Sequence, residues 1–121
     1  MEEVLNAIVD SVNKQCERLM EKLNDQVFEV KVYYFYDGEA VDLGACVAVC
    51  DINEKNFREE YLSFTVHEEK LKLMILVYLE LFEKYDRYFQ LKKLAREIPK
   101  VLKEKGKYIT KTTHFEVEEY D

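Results

Sequence analysis

"QVFEVKVYYFYDGEAVDLGACVAVCD", residues 26–51, is the stretch whose reading decides the fold. Apolar and polar residues alternate on both sides of Asp37-Gly38, and alternate residues of a strand share a face. Asp-Gly favours a two-residue hairpin turn because glycine accepts positive φ. Such a loop pairs Tyr36 with Glu39, Tyr34 with Val41, Val32 with Leu43, Val30 with Ala45 and Phe28 with Val47. The pairs bring apolar side chains onto one face, so turn chemistry and hydrophobic pattern agree.

Upstream, Leu5, Ile8, Val9, Val12, Cys16, Leu19, Met20 and Leu23 recur at spacings of three and four, which predicts a helix ended by Asn24 and Asp25. Downstream, "EEYLSFTVH" (residues 59–67) reads as a third strand, with Leu62, Phe64 and Val66 toward the core. Thr65 and Glu68 have capping-box spacing, so a helix is expected to start near His67. Its stripe runs through Leu71, Met74, Ile75, Tyr78, Leu81, Phe82, Tyr85, Tyr88 and Phe89. Leu73, Leu76 and Val77 add a second apolar side, which predicts burial on more than one side. The stripe continues through Leu91, Leu94, Ala95, Ile98, Val101 and Leu102, with a kink or restart expected at Pro99. Gly106 is placed as a C-cap. Ile109, Thr113, Phe115 and Val117 then line the apolar face of a closing strand.

The expected fold is a single α+β domain over 1–121 with two layers and order α-β-β-β-α(α)-β. A four-stranded, mostly antiparallel sheet is covered by an N-terminal helix and a long kinked or broken helical segment. Strand order, and whether 67–105 is one helix or two, are left open by the sequence. The helix-then-three-strands opening, the size and the acidity resemble small acidic secretion-type chaperones in architecture. The long helical stretch before the last strand departs from them, and a shared architecture does not carry function.

With 48% hydrophobic and 36% charged residues in 121, the chain has the composition of a globular domain rather than a disordered one. The longest unbroken apolar run, Leu73 to Leu79, is far short of a bilayer span. Glu2 and Glu3 stand where a signal peptide carries basic residues, so a cytoplasmic location is expected. Lys and Glu enrichment of this kind is common in thermophiles.

No catalytic constellation is legible. Cys46 and Cys50 lie four residues apart on one strand face, roughly 13–14 Å, too far to share a metal or a disulfide. A reducing compartment makes burial the expected role of the three cysteines, although a Cys16 link to one of them fits a hyperthermophile source. His67 sits in "HEEK", which lacks the second histidine of a helical zinc motif. Gly38, Gly44 and Gly106 are isolated, so no phosphate-cradling loop is formed. No cofactor and no metal are therefore expected, and an enzyme is the minority reading.

Two surfaces stand out instead. The second face of the sheet carries Glu29, Lys31, Tyr33, Phe35, Asp42, Cys46, Tyr61, Ser63, Thr65, Thr112 and His114. Plain solvent exposure accounts for such a face about as well as a contact surface does, with Tyr33, Phe35 and Tyr61 as the aromatic candidates. The other surface is basic. Residues 84–111 hold ten basic and three acidic side chains, net +7, against −14 for the remainder. Lys92, Arg96, Lys100, Lys103 and Lys107 share one side of a helix. A charged side is what any amphipathic helix needs, but this one is nearly single-sign.

The leading expectation is a non-enzymatic adaptor or regulatory protein that binds another protein, of unknown identity, and forms a homodimer. The runner-up is a nucleic-acid-binding protein using the basic face 92–107. A small ligand-binding protein or hydrolase on the open sheet face is third.

Overall fold

The computed structural model describes residues 1–51, 56–63 and 68–120, with side chains of 56–63 left aside. Seven elements follow in order: α1 (Glu2–Leu19), β1 (Asp25–Tyr36), β2 (Val41–Asp51), β3 (Asn56–Ser63), α2 (Glu69–Glu80), α3 (Lys84–Lys105) and β4 (His114–Glu119). The protein is α+β, with an N-terminal helix and two further helices. The strands lie in the order β3-β2-β1-β4. β1 pairs antiparallel with β2, and β2 with β3, whereas β4 runs parallel to β1. The expected capping box of Thr65 with Glu68 and the helix start at His67 rest on residues 65 and 67, which lie outside the described residues.

The hairpin forms with a different register. Tyr36 faces Val41, Tyr34 faces Leu43, Val32 faces Ala45 and Val30 faces Val47. The connection therefore spans Asp37 to Ala40 instead of two residues. Its cause is the Asp37 carboxylate, whose Oδ1 accepts the N–H of Glu39 at 2.9 Å and of Ala40 at 2.7 Å. Those bonds hold the carboxyl below its ordinary pKa. Gly38 supplies the expected positive φ, +99°. Because the register moves by two, every residue from Tyr36 to Val30 keeps its face.

The strand then breaks its own alternation. A bulge between Val27 and Glu29 leaves Phe28 outside the pairing, so Val27, not Phe28, faces the core, opposite Val49. Val27 is fully buried and Phe28 is exposed.

α1 packs on β2 and β3, and α3 packs on β1. Between them lie Ile8, Val12, Cys16, Val30, Val32, Val47, Val49, Leu91, Leu94, Ile98 and Leu102, all essentially inaccessible to water. α1 ends at Leu19, earlier than Asn24-Asp25, with Met20 already extended. Asp25 acts on the turn instead: its Oδ2 accepts the N–H of Glu21 at 2.7 Å and of Lys22 at 2.8 Å. Leu23 is left in solvent.

The long helical segment is two helices, and the break is not at Pro99. α3 passes through Pro99, which is itself buried. Neighbouring Ala95, Ile98 and Leu102 are buried against the core, and that packing outweighs the lost helix bond. The interruption falls at Leu81–Glu83, where Glu83 is extended. Arg87 closes it: its Nε donates to the Phe82 carbonyl at 3.1 Å, and its guanidinium lies 3.7 Å from Glu80. Gly106 is the C-cap of α3, but in an extended conformation (φ −67°, ψ 121°), not the left-handed one. Glycine is required there because a Cβ would collide with the Leu102 carbonyl and the Ile109 side chain.

Candidate functional site

Helices cover one side of the sheet. On the other side, β1 presents Glu29, Lys31, Tyr33 and Phe35, and β2 presents Asp42, Gly44, Cys46, Ala48 and Cys50. Parallel pairing of β4 adds His114 beside Glu29, Glu116 beside Lys31 and Glu118 beside Tyr33.

The aromatic candidates Tyr33 and Phe35 converge on Tyr120. Its ring stands edge-on to Tyr33 at 5.2 Å and tilted to Phe35 at 5.7 Å, and its N–H donates to the Tyr34 carbonyl at 3.0 Å. The Tyr120 hydroxyl donates a hydrogen bond to Asp42. Burial pushes the phenol well above its ordinary pKa, and the Asp42 carboxylate adds to the shift. Tyr33 lies across Gly44, where a Cβ would collide with the hydroxyl end of its phenol. The small residue at 44 is therefore matched to a side chain of the neighbouring strand. Tyr61 is opposite Cys46 in the β2–β3 register; its side chain lies outside what the structure describes.

Next to the aromatic group is a charged one. The Lys31 Nζ lies 3.7 Å from Glu116 and 3.8 Å from Glu118. Glu118 first, then Glu116, raise the lysine pKa. His114 Nε2 is 3.2 Å from Glu116 Oε1. One ligand-capable atom from each of Glu29, His114 and Glu116 lies within 4.8 Å of the other two.

The cysteines form no disulfide; Cys16 and Cys50 are buried and Cys46 is half-buried. Burial pushes the Cys16 thiol up to about 12, with Glu17 contributing.

Lys92, Arg96, Lys100 and Lys103 belong to the other side of the molecule, because they ride on α3, whereas Lys107, expected on the same helix side, lies past its end. Arg96, Lys100 and Lys103 are exposed and Lys92 is half-buried. Several are engaged within the chain. Lys100 bonds Glu97 at 3.1 Å, Lys107 lies 3.7 Å from Glu17, and Lys103 sits 5.2 Å over the Phe115 ring. Lys92 is 6.0 Å from the Tyr88 ring. The aromatic and basic candidates thus form two surfaces, not one site.

A third surface arises where burial was expected. The second apolar side of α2 is exposed, Leu73 by 60% and Val77 by 57%, and Leu81 of the first stripe, just beyond the helix, is exposed by 76%. Together with Met1, Val4, Met74 and Tyr78 they line an open, mostly apolar groove of about 580 Å³ between α2 and the start of α1. On the far side of α2, Leu76 lies beside Val41 and Leu43. The sequence revealed these leucines and valines but not that Leu73 and Val77 stay largely exposed among the described residues.

Compared with protein-family models, curated proteins and solved structures, the chain has no match. No described helix is long and apolar enough to cross a membrane.

Proposed function

We propose that this chain is a protein-binding adaptor or regulatory protein, not an enzyme, that pairs with a second copy through the exposed side of α2. The observation that carries this reading is the exposure of Leu73, Val77 and Leu81 beside an apolar groove. Contiguous apolar surface of that kind marks interaction sites on soluble proteins.

The charges flanking the stripe favour a second copy as the occupant. Lys70 and Lys72 stand near the start of α2, and Glu80 and Glu83 near its end. A two-fold axis across the middle of the helix brings Lys70 and Lys72 of one copy toward Glu80 and Glu83 of the other, although Glu2, Glu3, Glu68 and Glu69 place negative charge at the first end too. Glu69, in the first turn, instead complements the helix dipole. Glu80 is 72% exposed even in its contact with Arg87 and keeps its reach toward a partner.

Light scattering across the micromolar range tests the pairing on wild type, Leu73→Glu and Val77→Glu. The expected result is a wild-type dimer and monomeric, folded variants with unchanged circular dichroism. A wild type that stays monomeric, or variants that remain dimeric, overturns the reading. Salt-sensitive nucleic-acid binding abolished by Lys92→Glu, Arg96→Glu and Lys100→Glu in a monomeric wild type would put the basic face of α3 in its place.

A further inference from the structure

We propose that Glu29, His114 and Glu116 form a binding site for a divalent metal ion of the zinc type on the open sheet face. The three come from two strands and meet only because β4 lies parallel to β1 with His114 beside Glu29. The strands fix where the side chains start, and alternation points all three to the same face.

The donor set selects the ion. One imidazole nitrogen and two carboxylates suit zinc and its neighbours, whereas calcium and magnesium prefer an all-oxygen shell. Bonds of about 2.0–2.2 Å place tetrahedral ligands roughly 3.3–3.6 Å apart. His114 and Glu116 already stand at 3.2 Å. The set spans at most 4.8 Å, so closure takes about an ångström of side-chain rotation. His114 is exposed and the two glutamates half-buried, so the rotamers can adjust while the backbone stays in the sheet.

Charge points the same way. Around Lys31, Glu29, Glu116 and Glu118 bring three negative charges against its one positive, leaving two that a divalent ion would neutralise. Lys31 need not block the ion, because Glu118 at 3.8 Å holds it when Glu116 turns to the metal. Three protein ligands leave the remaining coordination to water or an external donor. The inference is independent of the pairing through α2, which lies in the other layer.

The test is calorimetric titration of the full chain with Zn²⁺ alone, beside His114→Ala, Glu116→Gln and a Cys46→Ser/Cys50→Ser variant. One site per chain is expected, weakened roughly tenfold or more by either of the first two substitutions and unchanged by the third. Co²⁺ should give ligand-field absorption without thiolate charge transfer. The site is rejected if wild type takes up no zinc, if His114→Ala binds equally well, or if the cysteine variant loses the ion. Circular dichroism on each variant separates a lost ligand from a lost fold.

Discussion

The Thr113 hydroxyl donates a 2.9 Å hydrogen bond to the carbonyl of Val27, tying the residue before β4 to the bulge in β1. Thr113 is buried, and its Oγ1 also accepts the N–H of Thr110 at 3.1 Å. One side chain thereby satisfies a carbonyl at the irregular end of β1 and shapes the turn that leads into β4.

Replacing Thr113 by valine keeps the shape and removes both bonds. We expect a loss of about 1–3 kcal/mol, the range for leaving buried polar groups unsatisfied. Thr113→Ser should retain most of the stability. Denaturant midpoints at constant slope measure this; equal midpoints for valine and wild type would show that the bond does not hold β4 in place.

Gly44 and Tyr33 form a matched pair. Gly44→Ala should cost about 1–3 kcal/mol, because the added methyl displaces the ring from its place against Tyr120. In a Tyr33→Ala background the same change should cost less, with a coupling of at least about 0.5 kcal/mol. Strict additivity in the double-mutant cycle would contradict the contact.

Tyr120 makes stability depend on pH at the alkaline end. Its folded pKa is raised above the unfolded value, first by burial and then by Asp42. The contribution is therefore fully present below the unfolded tyrosine pKa of roughly 10 and lost as pH rises through the folded value. Tyr120→Phe should show a shallower alkaline decline than wild type. Comparing the two cancels the other tyrosines, and identical profiles would refute the assignment.

Cys16 should be the slowest thiol toward a disulfide reagent. It is fully buried and its thiol is pushed up to about 12 by burial, so little thiolate forms at neutral pH. Labelling of a Cys46→Ser/Cys50→Ser variant should follow unfolding. Rapid modification of folded protein would show that α1 opens locally.

The hairpin faces were legible because alternation survives a register shift of two, as Tyr34 and Leu43 show in replacing the expected Tyr34–Val41 pair. The shift itself was hidden in a side chain, since Asp37 lengthens the loop through bonds that composition does not display. The bulge at Phe28 was equally hidden, because Val27 and Phe28 are both apolar. At Pro99 local chemistry argues for a kink or restart, and α3 does not restart there, with Ile98 and Leu102 packed against the core. For the open face, Glu29 and His114 were recognisable by alternation, which also puts Glu116 and Glu118 with His114. Their meeting depends on the pairing of β1 with β4, and no local pattern encodes a partner 85 positions away in sequence.

That pairing also sets an order of events. β1 and β2 are joined by a short loop and can zip together early, whereas Glu29 meets His114 only after a far longer closure. During synthesis, which presents β1 well before β4, the outer edge of β1 has no strand to take until β4 emerges. On that ordering, the capture of a late strand by an early edge is expected to be the slow step of folding.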